Sequence, residues 1–415
     1  MLEYLNAMNQ TFKSLSFILS FLFLIRTSSY GQVIQKDNYN LDLTNTERKI
    51  ENIIRLYISD SQYENLRSTT GEKVNIRSTI LIINGDTIKP KDISTRGQST
   101  LMFRRKSLSI HLKSNASFRH GDRTESLNKF SLLNLSMDKY YCRNRLAFEM
   151  MEALGLFDLF YSFCELRIND RSEGVFMIME TPENWAFREK KSPLVIRRGY
   201  DHRIDKTKGN KKNDGTYDKK YINNYKQLYR SLDKNSGEAL CKILSEYIDL
   251  EGYMKWLAFN FLVRNGDYAD EVFFYIDPEI EKYRIIPWDY VDIFAIPPHE
   301  GKEQRNKILV EKLIFSSEDL LDQKIAADPY LYERYLKMFK EVLDELSQEL
   351  LKNVIENSYA ELYPFYSAEE IISNSKFDYY KDASLENLKD YLVSVYLSLC
   401  ASRNNYLEYF KTNSN

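Results

Sequence analysis

Apolar and polar positions along this chain change their period about halfway. From Leu56 to Leu135 short apolar runs alternate with polar turns, which predicts strands. Ile80 to Ile83 is followed by Asn84-Gly85 and then Thr87-Ile88, the strongest short-range hairpin signal. Ser107 to Leu112 alternates, with Leu108, Ile110 and Leu112 on one face. Arg143 to Leu154 carries apolar residues at helical spacing, and Gly155 stands where a C-cap is expected. A second hairpin is predicted over Phe163 to Ile168 and Val175 to Met179, turning at Asn169 to Glu173. Lys206 to Lys220 is polar, basic and glycine-containing, and predicts a mobile loop. Tyr221 to Leu262 reads as helices that end in the apolar stretch Trp256 to Val263. A short hairpin spans about Val272 to Pro287, and Glu303 to Phe410 is almost wholly helical. The pattern therefore predicts an α+β, two-lobed body: a strand-rich, mostly antiparallel N-terminal part over 51–200, a basic loop over 201–220, and a mostly helical part over 221–410.

The first residues follow a different pattern. Lys13 precedes the apolar run Leu15 to Ile25, and Ser29-Tyr30-Gly31 offers the small residues of a cleavage site. The run is too short to span a bilayer and predicts a signal peptide over 1–31, cleaved before Gln32, with 32–50 as an N-terminal extension. The mature chain is then exported (periplasmic, cell-surface or secreted) without a transmembrane anchor. Lys and Arg total 58 against 60 Asp and Glu, so the net charge of −2 provides no overall field for nucleic acid. Any anion site must be local. Cys142, Cys164, Cys241 and Cys400 are too scattered for a zinc knuckle or a CxxC pair, and no HExxH occurs. Cys142–Cys164 is one disulfide that an exported chain allows.

Chemistry concentrates in two short motifs. Asn265-Gly266-Asp267 follows an apolar helix, and Pro287-Trp288-Asp289 ends a strand, with the predicted hairpin between them. A hairpin returns the chain to where it began, so Asp267 and Asp289 should lie close together. Phosphoryl transfer needs such a pair, one carboxylate to orient or deprotonate the accepting hydroxyl and one to hold magnesium against the phosphates. Phosphate binding has a candidate in Arg96-Gly97-Gln98-Ser99-Thr100, where glycine permits close backbone approach and hydroxyl and amide groups can bind oxygens. Lys106 falls on the Leu108/Ile110 face, the expected inner face, and an inward lysine needs an anionic partner. Glu180 lies on the Phe176/Ile178 face; it either orients Lys106 or a metal, or simply begins the next helix at Thr181-Pro182-Glu183.

These motifs, in this order, resemble the CotH kinase family of spore-coat-protein-H-like atypical protein kinases. The resemblance rests on Arg96 to Thr100 with Lys106, Arg143-Asn144 leading to Leu154-Gly155-Leu156, Glu165 to Asn169 with Gly174 to Glu180, then Asn265, Asp267, Tyr275 and Pro287-Trp288-Asp289. It runs from about Leu56 into the C-terminal helices. It implies a protein-kinase-like fold, ATP with Mg2+ or Mn2+ as cofactors, and a protein substrate. Asp267 then resembles the catalytic aspartate, Asp289 the metal-binding aspartate and Lys106 the phosphate-binding lysine. Two departures stand out. The family's asparagine after the first aspartate is missing, so that Asp270 or Glu271 must serve as metal ligand; and Val291 occupies the second acidic position of WD-x-D, with Asp292 one residue later. An exported protein kinase is the leading expectation, and a non-catalytic surface-binding or adhesion module on the same fold is the alternative.

Overall fold

The computed structural model describes residues 41–77, 79–199, 202–210, 216–268, 272–294, 307–308, 312–316, 319–375 and 383–413. The predicted signal peptide lies outside them. Its strand-rich part comprises β1 (Ile53–Tyr57), α1 (Asp60–Ser68), β2 (Asn75–Ile76), β3 (Ile80–Ile83), β4 (Asp86–Ile88), β5 (Pro90–Arg96), β6 (Ser107–His120), β7 (Arg123–Leu133), α2 (Arg143–Ala153), β8 (Tyr161–Ile168) and β9 (Arg171–Glu180). These strands form one curled nine-stranded sheet in the order β2-β5-β6-β7-β9-β8-β1-β3-β4, antiparallel throughout except for the parallel pair β1–β8.

Next come α3 (Pro182–Arg188), β10 (Leu194–Arg198), β11 (Ile204–Gly209), α4 (Lys219–Leu232), α5 (Gly237–Tyr247), α6 (Leu250–Leu262), β12 (Val272–Asp277) and β13 (Lys282–Ile286). The four strands among them make a small antiparallel sheet, β11-β10-β12-β13. A two-stranded pair, β14 (Lys307–Ile308) and β15 (Phe315–Ser316), precedes α7 (Leu320–Ala327), α8 (Pro329–Glu345), α9 (Gln348–Tyr366), α10 (Glu369–Ser375) and α11 (Leu385–Asn413). The expected α+β order is thus present.

Local signals were obeyed where the chemistry is local. Asn84 (φ 53°) and Gly85 (φ 96°) make the tight β3–β4 turn. The β8–β9 hairpin is present, but its turn is shorter than the expected Asn169 to Glu173: Asn169 and Asp170, both at positive φ, close it in two residues, and Arg171 to Glu173 belong to β9. At the end of α2 the Gly155 N–H donates to the Glu152 carbonyl and the Leu156 N–H to that of Met151, which satisfies carbonyls the helix leaves open. Two further expectations need correction. Asp60–Ser68 is a helix, started by Ser59 accepting from the Gln62 N–H, in a stretch whose pattern predicts only strands. Ile204–Gly209, expected as mobile loop, is a strand because β10 offers it a free edge from Leu194 to Arg198. All four cysteines are buried and unbonded.

Strand β9 explains how the two parts join. Its odd residues Val175, Met177 and Met179 belong to a large core shared with the helices, and its even residues Phe176 and Ile178 to a second core enclosed by the curled sheet. A strand buried on both faces must be apolar throughout, as Gly174 to Met179 is. A buried ionic cluster fastens the same junction. Glu361 on α9 accepts from Arg145 on α2 at 2.8 and 2.9 Å, from His120 on β6 at 3.2 Å and from Arg48 in the N-terminal segment at 2.8 Å. Burial by itself would raise the Glu361 carboxyl, but the charge of Arg145 and the hydrogen bonds of His120 and Arg145 hold it well below the usual range.

Glu361→Gln is expected to lower the unfolding free energy by about 2–4 kcal/mol, since it removes one of the two counter-charges of the buried Arg145 and leaves Glu149 as the other; urea titration measures this. Because the folded state depresses the carboxyl, the cluster's contribution is complete above the ordinary glutamate value of ~4.3. It is lost as the pH falls through the depressed native value. A stability–pH profile of Glu361→Gln should lack this acid-side loss.

Candidate functional site

Helix α6 ends at Leu262, and the chain turns through Arg264 (φ 53°) into Asn265-Gly266-Asp267. The hairpin β12–β13, with Phe273 opposite Ile286, brings it back to Pro287-Trp288-Asp289. The two loops are then clasped by backbone bonds. The Gly266 N–H donates to the Asp292 carbonyl at 3.0 Å, and the Phe294 N–H to the Val263 carbonyl at 2.9 Å. Asp267, half-buried, and Asp289, exposed, therefore sit on adjoining loops, as hairpin closure predicts. Asp289 adopts φ 58°, a left-handed conformation unusual for a residue with a Cβ, which bends the loop at the carboxylate. Asp270 and Glu271 lie outside the described residues.

Each loop has its own internal support. Asn265, 1% exposed, accepts from the Asp267 N–H through Oδ1 at 3.0 Å and donates through Nδ2 to Asn260 Oδ1 at 2.8 Å. The second loop is held by the start of α2. Asn144 Oδ1 accepts from the Tyr290 N–H at 2.9 Å, and the Arg143 guanidinium donates to the Val291 carbonyl at 2.7 Å. Asp138 anchors these two residues in turn, accepting from the backbone N–H of Arg143 at 2.7 Å and of Asn144 at 3.0 Å and from the Asn144 amide at 2.9 Å. Burial pushes the Asp138 carboxyl up to about 6 in spite of these donors. Sequence reasoning missed Asp138; its position ahead of a helix start was the available signal.

The phosphate-binding candidates divide between the two faces of the sheet. Arg96 and Ser107 are paired across β5–β6 and share a face. The Arg96 guanidinium lies over the ring of Trp288, the residue that precedes Asp289, 5.6 Å from its centroid. Gly97 (φ 101°), Ser99 and Thr100 follow as the exposed turn and the first residues of a short 3-10 helix, Ser99–Met102. Thr100 donates to the Arg96 carbonyl at 3.5 Å. Lys106 points the other way. Burial is almost complete, and its ammonium donates to the carbonyls of Leu101 at 2.7 Å and of Phe103. It borders a small cavity with Leu108, Leu166, Ile168 and Phe176, all members of the sheet's enclosed core. Alternation assigned Lys106 correctly to the Leu108 face, but that face looks into the curled sheet and away from Asp267 and Asp289. Burial lowers its affinity for a proton, and no carboxylate among the described residues pairs with it.

Glu180 does not meet Lys106. It accepts from Arg188 at 2.9 and 2.7 Å and begins the turn into α3, the second of its two readings. Burial raises its carboxyl, and the hydrogen bonds and charge of Arg188 oppose the rise. The carboxylate that shares the Lys106 cavity is Glu173, which is taken by Arg67 at 2.8 and 2.9 Å. Glu173 and Glu180 are seven residues apart on β9, hence at opposite ends of the strand by about 23 Å.

Gly97→Ala is expected to destabilise the chain by about 1–2 kcal/mol, because a left-handed backbone disfavours a Cβ, and that Cβ would stand 1.9 Å from Thr100 Oγ1. Chemical denaturation reads the loss. Asp138 has a native value above its unfolded one, so its ionisation costs stability as the pH rises from 3.8 to about 6. A stability–pH profile should decline across that interval, and Asp138→Asn should abolish the decline.

Comparison with known proteins agrees with the motifs. A profile described as CotH kinase protein matches residues 93–394. The inner spore coat protein H of Bacillus subtilis (strain 168) is 22% identical over 322 residues, covering 72% of this chain and 84% of that protein. Among solved structures, the chain overlaps the toxin–antitoxin complex of HipA, HipB and operator DNA from Shewanella oneidensis MR-1. That match has 13% identity and a TM-score of 0.31, covers 70% of this chain and 63% of the other, and is too loose to bear on the fold. The family match spans more than half the sequence and takes in both aspartate loops and the Arg96 turn: the chain belongs to the CotH kinase family.

Proposed function

We propose that this chain is an exported, protein-kinase-like phosphotransferase that moves the γ-phosphoryl group of ATP to a protein hydroxyl. The observation that carries the reading is the clasp between the Asn265-Gly266-Asp267 and Pro287-Trp288-Asp289 loops, with Arg96 stacked on Trp288 at its side. Two carboxylates and one guanidinium at a partly open surface match what an ATP–metal complex needs.

Asp267 is assigned as the base. It accepts the proton of the acceptor hydroxyl as the new O–P bond forms and the bond from the γ-phosphorus to the β–γ bridging oxygen breaks, leaving ADP. Asp289, the more exposed of the two, is assigned to the cation, with Asp270 and Glu271 as further candidate ligands. Among the described residues no group of three or more His, Cys, Asp or Glu forms a metal centre by itself. Carboxylate oxygens from few residues suit Mg2+ or Mn2+, which take much of their coordination from phosphates and water. The cation, when bound, neutralises charge developing on the phosphates.

Arg96, with the Gly97 to Thr100 turn, is assigned to the phosphates. Lys106 supports that turn from beneath by holding the Leu101 and Phe103 carbonyls, and contacts a phosphate only if it releases them. Glu180 is assigned no part in nucleotide binding, since Arg188 occupies it.

Incubation of residues 32–415 with ATP and Mg2+ or Mn2+, followed by intact mass on the protein and on a generic acceptor, tests the reading. Whole phosphates should be added, and Asp267→Ala and Asp289→Asn should each reduce the rate by at least about 100-fold. Arg96→Ala should raise the ATP requirement more than Lys106→Met does. No phosphate gain with either cation, together with no ATP-dependent rise in melting temperature, rejects the enzyme reading in favour of a binding module.

A further inference from the structure

The two aspartate loops leave a question of spacing. The backbone clasp holds Gly266 against Asp292, yet each carboxylate is also followed by a buried tyrosine, Tyr268 after Asp267 and Tyr290 after Asp289. Both tyrosines meet one side chain. Trp256 on α6 donates its indole N–H to the Tyr290 hydroxyl at 3.0 Å, and its ring meets that of Tyr268 edge to face, with centroids 5.7 Å apart at 65°. Trp256 is 3% exposed, so neither contact competes with water.

The tyrosines are fixed on their far sides. Tyr268 stacks on Phe315 at 5.5 Å and 18°. Tyr290 lies between Phe148 at 6.1 Å and Phe259 at 5.9 Å. One turn after Trp256, Asn260 donates to the Trp256 carbonyl at 2.8 Å and accepts from Asn265, whose own Oδ1 holds the Asp267 N–H. Residues four apart on a helix share a face. A single face of α6 therefore contacts both loops, through ring, indole N–H and amide.

We propose that Trp256, with Asn260 beside it, is a positioning residue that sets the separation of Asp267 and Asp289 through the tyrosines that follow them. The inference rests on the phosphoryl-transfer reading above. Indole suits the task because it offers an apolar face to one tyrosine and a donor to the other. Phenylalanine keeps the face and loses the donor. Supports of this kind matter because a displacement of about 1 Å between reacting groups can cost on the order of 100-fold in rate.

The test compares Trp256→Phe, Tyr290→Phe and the double variant, with Tyr335→Phe as a control. Tyr335 lies on α8, where its buried hydroxyl donates to the Leu313 carbonyl at 2.7 Å, so its loss also removes one internal hydrogen bond. Phosphate transfer is followed by intact mass across a Mn2+ titration at saturating ATP, with Mn2+ binding read in parallel by electron paramagnetic resonance. Trp256→Phe and Tyr290→Phe should each raise the half-saturating Mn2+ concentration by about tenfold. The double variant should be no worse than Tyr290→Phe alone, because loss of the Tyr290 hydroxyl already removes the bond that Trp256→Phe removes. Tyr335→Phe should lower the melting temperature and leave the Mn2+ dependence alone. Wild-type Mn2+ dependence in both variants, beside a wild type that transfers phosphate, overturns the positioning role alone. A wild type that neither transfers phosphate nor binds Mn2+ removes the kinase reading and this inference with it.

Discussion

The bond from the Gly266 N–H to the Asp292 carbonyl is the constraint around which the site is arranged. The β12–β13 hairpin brings its two ends together, but a hairpin's open end is free to splay. A backbone bond across that end prevents this, and it can form only if both loops are presented at the right depth. Helix α6 presents the first, through Asn260 and Asn265. Helix α2 presents the second, through Asn144 and Arg143, and α2 is itself started by Asp138. Two helices from different parts of the chain thus converge on one pair of carboxylates.

This gives the Arg143-Asn144 pair a physical meaning. It opens a helix without a capping side chain on Cys142, and the orphan N–H groups go instead to a carboxylate five residues upstream. The side chains released at that helix start are long and polar. They reach the backbone of Tyr290 and Val291, where no strand or helix would satisfy the N–H and C=O groups. Having valine at position 291 is compatible with this support, because the contact uses its carbonyl rather than its side chain.

The basic turn shows the opposite economy of means. Gly97, Ser99 and Thr100 are exposed or half-exposed next to Arg96, while Lys106 lies buried beneath with its charge spread over two carbonyls. An ammonium buried with no carboxylate partner among the described residues is costly. The adjacent cavity holds the Arg67–Glu173 pair nearby but gives the lysine no share of it.

What the sequence determined by itself was whatever depends on neighbours in the chain. Asn84-Gly85 and Gly155 set their turn and cap, because left-handed backbone has few tenants. The β12–β13 hairpin brought the loop of Asp267 back to the loop of Asp289. Alternation assigned Lys106 to the face of Leu108. Only tertiary structure decided what each face looks at: the Leu108 face looks into the curled sheet, and the Arg96 face looks toward Trp288. Period-two alternation separates two faces and says nothing about which one meets the active loops. The same limit applies to Glu180, whose face was legible but whose partner, Arg188, was chosen by the packing of α3. Helix α1 escaped because Tyr63 and Leu66 are its buried anchors, too few for periodicity to register until the sheet had curled over them.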